Sequence, residues 1–353
     1  MAVTNNILAE VRALAPYTLK ATVAPIKLNQ NESPWDVSDD FKAEILERVR
    51  AHAWNRYPDF HPADVLQGLG ELHGLTGENV LIGNGSNELI QAIFSATVAK
   101  DTKVAIPVPT FSLYKMMIAA NQGECIEVPL KPDFTYDLDA WRALADQNEA
   151  HLLLCSPNNP TGSVVARDFV QELAGRTSKL VIVDEAYVHF GQEDLSDLVE
   201  RCPNVIVLRT FSKASGLASV RFGYALASAA LVPELHKVKL PYNVGIFGLE
   251  VARAAIENPS VLDASAAPLV QERTRLENSL KQLPFDRVLQ GMANFVVVST
   301  PRAQELFDAL FAQGILIRNI GGYPMLENHL RISLGTPEEN DTLIDALQRF
   351  FAS

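Results

Sequence analysis

From residue 80 to residue 226 the chain repeats one unit: a short apolar run, a polar turn, then a segment with apolar side chains at helical spacing. Apolar runs fall at 80–82, 103–106, 125–129, 151–155, 180–183, 205–208 and 222–226. Helical patterns fall between them at 87–99, 139–145 and 167–174, and another helix is expected to open at Pro107-Val108-Pro109-Thr110 and carry Phe111 and Tyr114. Strands that alternate with helices are joined by crossovers and run parallel. The pattern therefore predicts an α/β domain with a mostly parallel sheet flanked by helices.

The flanks read differently. Residues 5–14 have helical spacing that Pro16 ends, 26–28 suit a short strand, and Phe41, Ile45 and Val49 mark a helix reaching Arg50. Leu66, Leu69 and Leu72 mark another, closed by Gly74. Beyond Asn243, helical stretches at 245–258 and 266–283 precede a strand at 295–298, a helix at 305–313, strands at 315–318 and 330–334, and a last helix anchored by Ala346, Leu347 and Phe350. A chain of 353 residues exceeds one small core, so three parts are expected. These are an N-terminal segment, 1–36, packing with the small domain, a large domain, 37–243, and a smaller α+β domain, 244–353, with a long helix to join the two domains.

Gly85-Ser86, Phe111, Asn158, Asp184 and Lys213 all lie just past the ends of expected strands, where open α/β sheets bind their ligands. Each has a plainer reading. Gly83-Asn84-Gly85-Ser86-Asn87-Glu88 suits an anion at a helix N-terminus, but also an ordinary cap. Ser156-Pro157-Asn158-Asn159-Pro160-Thr161-Gly162 packs turn formers around asparagines, more than a loop satisfying its own backbone requires. Asp184 is a buried carboxylate in want of a cation, or the cap of the next helix. Lys213, with Thr210, Ser212 and Arg221 nearby, offers an amine beside phosphate-binding groups, or is a solvated lysine.

A net charge of −12 argues against a nucleic-acid surface or an anionic membrane as the partner. Residues 1–15 carry no basic region followed by an apolar core, and no apolar stretch approaches the roughly 20 residues of a membrane span. Three widely spaced cysteines suggest neither a disulfide framework nor zinc, so a reducing, cytoplasmic setting is expected, with no metal.

The strand-end residues occur with Leu28-Asn29-Gln30-Asn31-Glu32-Ser33-Pro34, Arg56-Tyr57-Pro58, Pro109-Thr110-Phe111, Asp184-Glu185-Ala186-Tyr187 and Leu330-Arg331-Ile332-Ser333-Leu334-Gly335-Thr336. In that order the chain resembles the fold-type I pyridoxal-phosphate aminotransferases over essentially its whole length. The resemblance implies pyridoxal 5′-phosphate as cofactor, bonded to Lys213, which then moves a proton between the substrate's α-carbon and the cofactor. It implies that Asp184 holds the ring nitrogen, Asn158 and Tyr187 the ring oxygen, and that Phe111 stacks on the ring. Gly85, Ser86, Asn87, Thr210, Ser212 and Arg221 would hold the phosphate, with Tyr57 reaching the neighbouring site of a homodimer. Tyr17, Asn31, Arg318 and Arg331 would bind substrate. The implied reaction moves an amino group between L-histidinol phosphate and 2-oxoglutarate, giving imidazole-acetol phosphate and L-glutamate, in histidine biosynthesis. The same scaffold also serves aromatic amino-acid aminotransferases and lyases of phosphorylated amino acids, and a non-catalytic sensor of the cofactor or of an amino acid is the reading from another class. Ser215, Ser219, Asn87 and His189 depart from the residues frequent in the family at those positions.

Overall fold

The computed structural model describes residues 3–14 and 23–352. Seven strands form the central sheet: β2 Val80–Gly83, β3 Lys103–Val108, β4 Glu124–Pro129, β5 Ala150–Cys155, β6 Val181–Asp184, β7 Val205–Thr210 and β8 Gly223–Ala227. They follow the order β2-β8-β7-β6-β5-β3-β4, all parallel except β8, which is antiparallel to both its neighbours. Along β6, Val181 and Val183 pack into one apolar layer and Ile182 into the other, and Val205 and Val207 against Ile206 and Leu208 do the same on β7. The central strands are thus apolar on both faces because helices cover both.

The strand order reverses once. From β3 the chain goes outward to β4, then returns to place β5, β6 and β7 on the other side of β3. A crevice opens at the C-terminal ends of β3 and β5, because the crossovers on either side lead away from each other.

A second, antiparallel sheet follows, built from β9 Arg287–Leu289, β10 Phe295–Ser299, β12 Arg318–Asn319 and β13 His329–Ser333 in the order β12-β13-β10-β9. The short β1, Ile26–Lys27, pairs in parallel with β11, Ile315–Leu316, and so ties the N-terminal segment to this part of the chain. The architecture is a mostly parallel α/β sheet with helices, plus a smaller antiparallel α+β unit.

Several elements differ from the sequence reading. Pro107 and Val108 continue β3, and the helix starts only at Leu113, leaving Phe111 in the loop. Pro107 is tolerated in a strand because β3 pairs with β5 only as far as Ala105, so no ladder bond on that side needs its missing N–H. The stretch 315–318 is two strands serving different sheets, β11 and β12. The helix expected over 5–14 is confined to Ala9–Arg12 after the turn Val3–Asn6. No single long helix joins the domains among the described residues: Ile246–Glu257 and Ala266–Leu280 are separated by a turn at Pro259–Val261, since Pro259 disfavours helix at Asn258.

Candidate active site

At the crevice the loops after β3 and β5 are pinned by Asn158. Its amide donates to Pro109 O at 2.9 Å and Thr161 Oγ1 at 2.7 Å, and its Oδ1 accepts from Thr110 Oγ1 at 2.7 Å. All the side chain's polar atoms are engaged by the protein, and it is fully buried. The residue that faces the crevice is its neighbour Asn159, whose Oδ1 accepts from Arg331 Nη1 at 2.6 Å. Of the two asparagines it is Asn159 that faces the cleft, while the side chain of Asn158, expected to meet the ring oxygen, is engaged by the loops around it. Adjacent side chains on an irregular loop point differently, and their direction cannot be read from residue type.

Asp184 ends β6 and lines the same cleft. Its Oδ2 accepts from the Tyr114 hydroxyl at 2.6 Å and its Oδ1 from the Ala186 N–H at 3.1 Å. Burial raises the Asp184 carboxyl above the usual carboxylate range, and these two bonds oppose the rise. Glu185 beside it points away and ion-pairs with the buried Arg209 at 2.7 Å.

Lys213 lies in the loop after β7. Its Nζ donates to Gln30 O at 3.2 Å and Asn31 O at 3.1 Å. Desolvation foremost, then the charge of Arg331, lowers its amine to about 8, so that at pH 7 about a tenth of it is uncharged, against far less for an ordinary lysine. Asn31 adopts a left-handed backbone (φ 54°), takes Ser333 Oγ on its own N–H at 2.8 Å, and donates from its amide to the Tyr187 hydroxyl at 3.0 Å. Burial pushes that phenol up.

The turn before the helix Ser86–Thr97 has a geometry that suits an anion. Gly85 has φ 78°, and a Cβ there would meet Arg221 Nη2 at 2.5 Å; a Cβ on Gly223 would meet Ser86 N at 2.6 Å. Only glycine allows these approaches. Arg221, itself left-handed at φ 58°, donates from Nη1 to Ser212 Oγ at 3.1 Å, and Thr210 Oγ1 donates to Ser212 Oγ at 3.0 Å. Ser86, Asn87, Thr210, Ser212 and Arg221 all line the cleft, so a helix N-terminus, hydroxyls and a guanidinium face one space.

Across the cleft, β12 and β13 set Arg318 directly opposite Arg331. Arg331 is buried and held by Asn159 and by Asn29 O at 2.9 Å. Arg318 lines the cleft and forms no ion pair or side-chain hydrogen bond among the described residues. Two guanidiniums on neighbouring strands suit an anionic ligand.

Phe111 lines the cleft as well. Tyr57 does not: it is 80% exposed and stacks on Tyr242 at 4.5 Å between centroids. Tyr17 lies outside the described residues. Sequence reasoning missed Asn159, Gln30, Cys155, Ile320 and Tyr323, which also line the cleft, and the contact of Tyr114 with Asp184. For Tyr114 a signal existed, since a tyrosine on the buried face of an apolar helix needs a partner for its hydroxyl. Among the described residues no cluster of histidine, cysteine and carboxylate side chains could hold a metal, and no helix is long and apolar enough to cross a membrane.

Comparison with known proteins bears on this arrangement. The model of the family "Aminotransferase class I and II" matches residues 23–347. A histidinol-phosphate aminotransferase of Chlorobaculum parvum is 39% identical over 327 residues, 92% of each chain. One of Chromobacterium violaceum is 38% identical over 345 residues, 97% of each. In fold, the chain is similar to the histidinol-phosphate aminotransferase of Sinorhizobium meliloti solved in complex with pyridoxal-5′-phosphate, with a TM-score of 0.88, 24% identity and 98% of each chain covered. With the lysine, the strand-end carboxylate and the anion cradle in one crevice, and a family match spanning both sheets, the chain belongs to the class I and II aminotransferases.

Proposed function

We propose that this aminotransferase uses pyridoxal 5′-phosphate to move an amino group between L-histidinol phosphate and 2-oxoglutarate, giving imidazole-acetol phosphate and L-glutamate. The observation that carries the reading is the pair Arg318 and Arg331, opposite each other on the wall of the cleft that holds Lys213, in a chain 36–39% identical to several histidinol-phosphate aminotransferases.

The residues present fit the cofactor. A phosphate matches the cradle of Gly85, Ser86, Asn87, Thr210, Ser212 and Arg221, which Gly85 and Gly223 keep open. Asp184, buried and lacking a charged hydrogen-bond donor, suits a protonated ring nitrogen. Bound there, the cofactor supplies an electron-withdrawing ring that stores the electron pair left when the substrate's α C–H bond breaks. Phe111 would cover one ring face, and Tyr187 and Asn159 would hold the ring oxygen. Lys213 Nζ would anchor the cofactor and, once released, take the proton from the substrate carbon. An amine lowered to about 8 suits that exchange at neutral pH.

Histidinol phosphate has no α-carboxylate, whereas glutamate and 2-oxoglutarate do. One anion site serving both donors meets this, with Arg331 and Arg318 receiving phosphate or carboxylate in turn and Asn31 and Tyr17 supplementing the grip. We also assign Tyr57 to the neighbouring site of a homodimer acting in the cytoplasm. Its exposure, together with that of Tyr242 stacked on it, supports a covered surface.

Steady-state assays with single amino donors test the reading. Fast glutamate formation from histidinol phosphate and 2-oxoglutarate is expected. No turnover of histidinol phosphate alongside rapid turnover of phenylalanine would transfer the assignment to an aromatic aminotransferase.

A further inference from the structure

Period-two alternation along β6 decides where Asp184 points. Ile182 packs in the apolar layer that contains Cys155, Leu208 and Tyr114, and Asp184, two residues on, shares that face. The helix Leu113–Ala120 covers it there and brings Tyr114 to Asp184 Oδ2 at 2.6 Å, with both residues buried. Tyr136 is equally buried but spends its hydroxyl on a main-chain oxygen, that of Cys155 at 2.6 Å, as a structural tyrosine does. Tyr114 gives its hydroxyl to a carboxylate that no charged donor reaches among the described residues.

A carboxylate enclosed in this way is costly to keep ionised unless strong hydrogen bonds favour the charged form. We infer that Tyr114 is a positioning residue for the proposed reaction, its phenol holding Asp184 as an oriented anion for the ring nitrogen of the cofactor. The inference rests on the functional reading above. The main-chain N–H of Ala186 orients Oδ1 only, so without the phenol Oδ2 would have no donor among the described residues.

The titratable groups facing Asp184 come from each surrounding element: Tyr114 from the helix, Cys155 from β5, Tyr136 from the loop beneath it, Tyr187 from the turn after β6, and Lys213 from the loop after β7. Burial pushes Cys155 up to about 12 and the three phenols upward, and Lys213 down to about 8. Asp184 is the carboxyl of this set, raised by burial above the usual carboxylate range, with the Tyr114 hydroxyl foremost among the groups that oppose the rise.

The test titrates the full-length chain, stripped of cofactor, with pyridoxal 5′-phosphate and with its 1-deaza analogue, in which CH replaces the ring nitrogen, across mildly acidic to mildly basic pH. Tyr114→Phe removes one donor and leaves the packing. At acidic pH it is expected to weaken pyridoxal 5′-phosphate binding by about tenfold, the scale of a lost charge-assisted bond, with the gap narrowing as pH rises. The deaza analogue, with no nitrogen for the carboxylate to meet, should bind native chain and variant equally, which cancels any titration of the phosphate or of Lys213. In an Asp184→Asn background, adding Tyr114→Phe should cost nothing more. Equal weakening of both ligands, an unchanged pH profile, or the same loss in the Asp184→Asn background would each overturn the role of Tyr114 and leave the functional reading intact. A native chain that binds neither ligand would overturn both.

Discussion

Lys213 carries the chemistry we propose, and its surroundings work against its charge. It binds its proton less tightly in the folded chain than in the unfolded one, falling from 10.5 to about 8. Unfolding therefore takes up protons between those values, and the stability of the cofactor-free protein should rise with pH across that window. Below about pH 8 the full penalty applies, at most about 3 kcal/mol from a shift of this size. Lys213→Met should accordingly raise the Tm of the cofactor-free chain at pH 7, and its advantage should vanish as the pH approaches 10.5. Thermal denaturation at a series of pH values checks this. An advantage equal at both ends of the window would show that desolvation of the ammonium is not its source. Arg221 illustrates a different local cost, a left-handed backbone of order 1 kcal/mol, and it is found where the guanidinium must fold back over Gly85.

At the scale of elements, the switch between β3 and β5 is where two loops meet, and adjacent asparagines divide the labour. Asn158 links Pro109 and Thr110 to Thr161, while Asn159 faces the cleft and Arg331. Asn158→Ala would strand a buried hydroxyl and a carbonyl and should cost about 2–3 kcal/mol of stability, seen as a lower denaturation midpoint. Asn159→Ala should leave stability within about 1 kcal/mol and lower kcat/KM by tenfold or more, an expectation on the scale of one lost hydrogen bond to a charged group. Equilibrium denaturation and steady-state kinetics on the same preparations separate the two. Loss of activity in a fully stable Asn158→Ala protein, with Asn159→Ala active, would reverse the assignment. The motif was legible in the sequence as a turn at a strand end. Which asparagine faces inward was not, because it depends on Pro109 and Thr110, almost fifty residues away, being there to bind the other.

For the whole molecule, the assignment of Tyr57 to a partner's site predicts complementation. Tyr57→Ala and Lys213→Ala homodimers should each be weakly active or inactive. Subunits mixed and exchanged should regain activity, because a hybrid dimer holds one cleft with its own lysine and the partner subunit's tyrosine. No gain on exchange, with hybrid formation verified by mass, would return Tyr57 to a local role. Chain order, apolar periodicity and residue type were enough to determine the alternating α/β architecture, the strand-end address of Lys213, Asp184 and the Gly85-Ser86 turn, and the family resemblance. These follow from local pattern, since burial on both faces of a sheet demands continuous apolar runs and polar groups collect where the runs end. The tertiary structure alone decided the splitting of 315–318 between two sheets, the continuation of β3 through Pro107, the choice of Asn159 over Asn158, and the pairing of Tyr114 with Asp184. Each of these depends on a partner distant in sequence, and a side chain's direction in a packed interior is set by what it meets there.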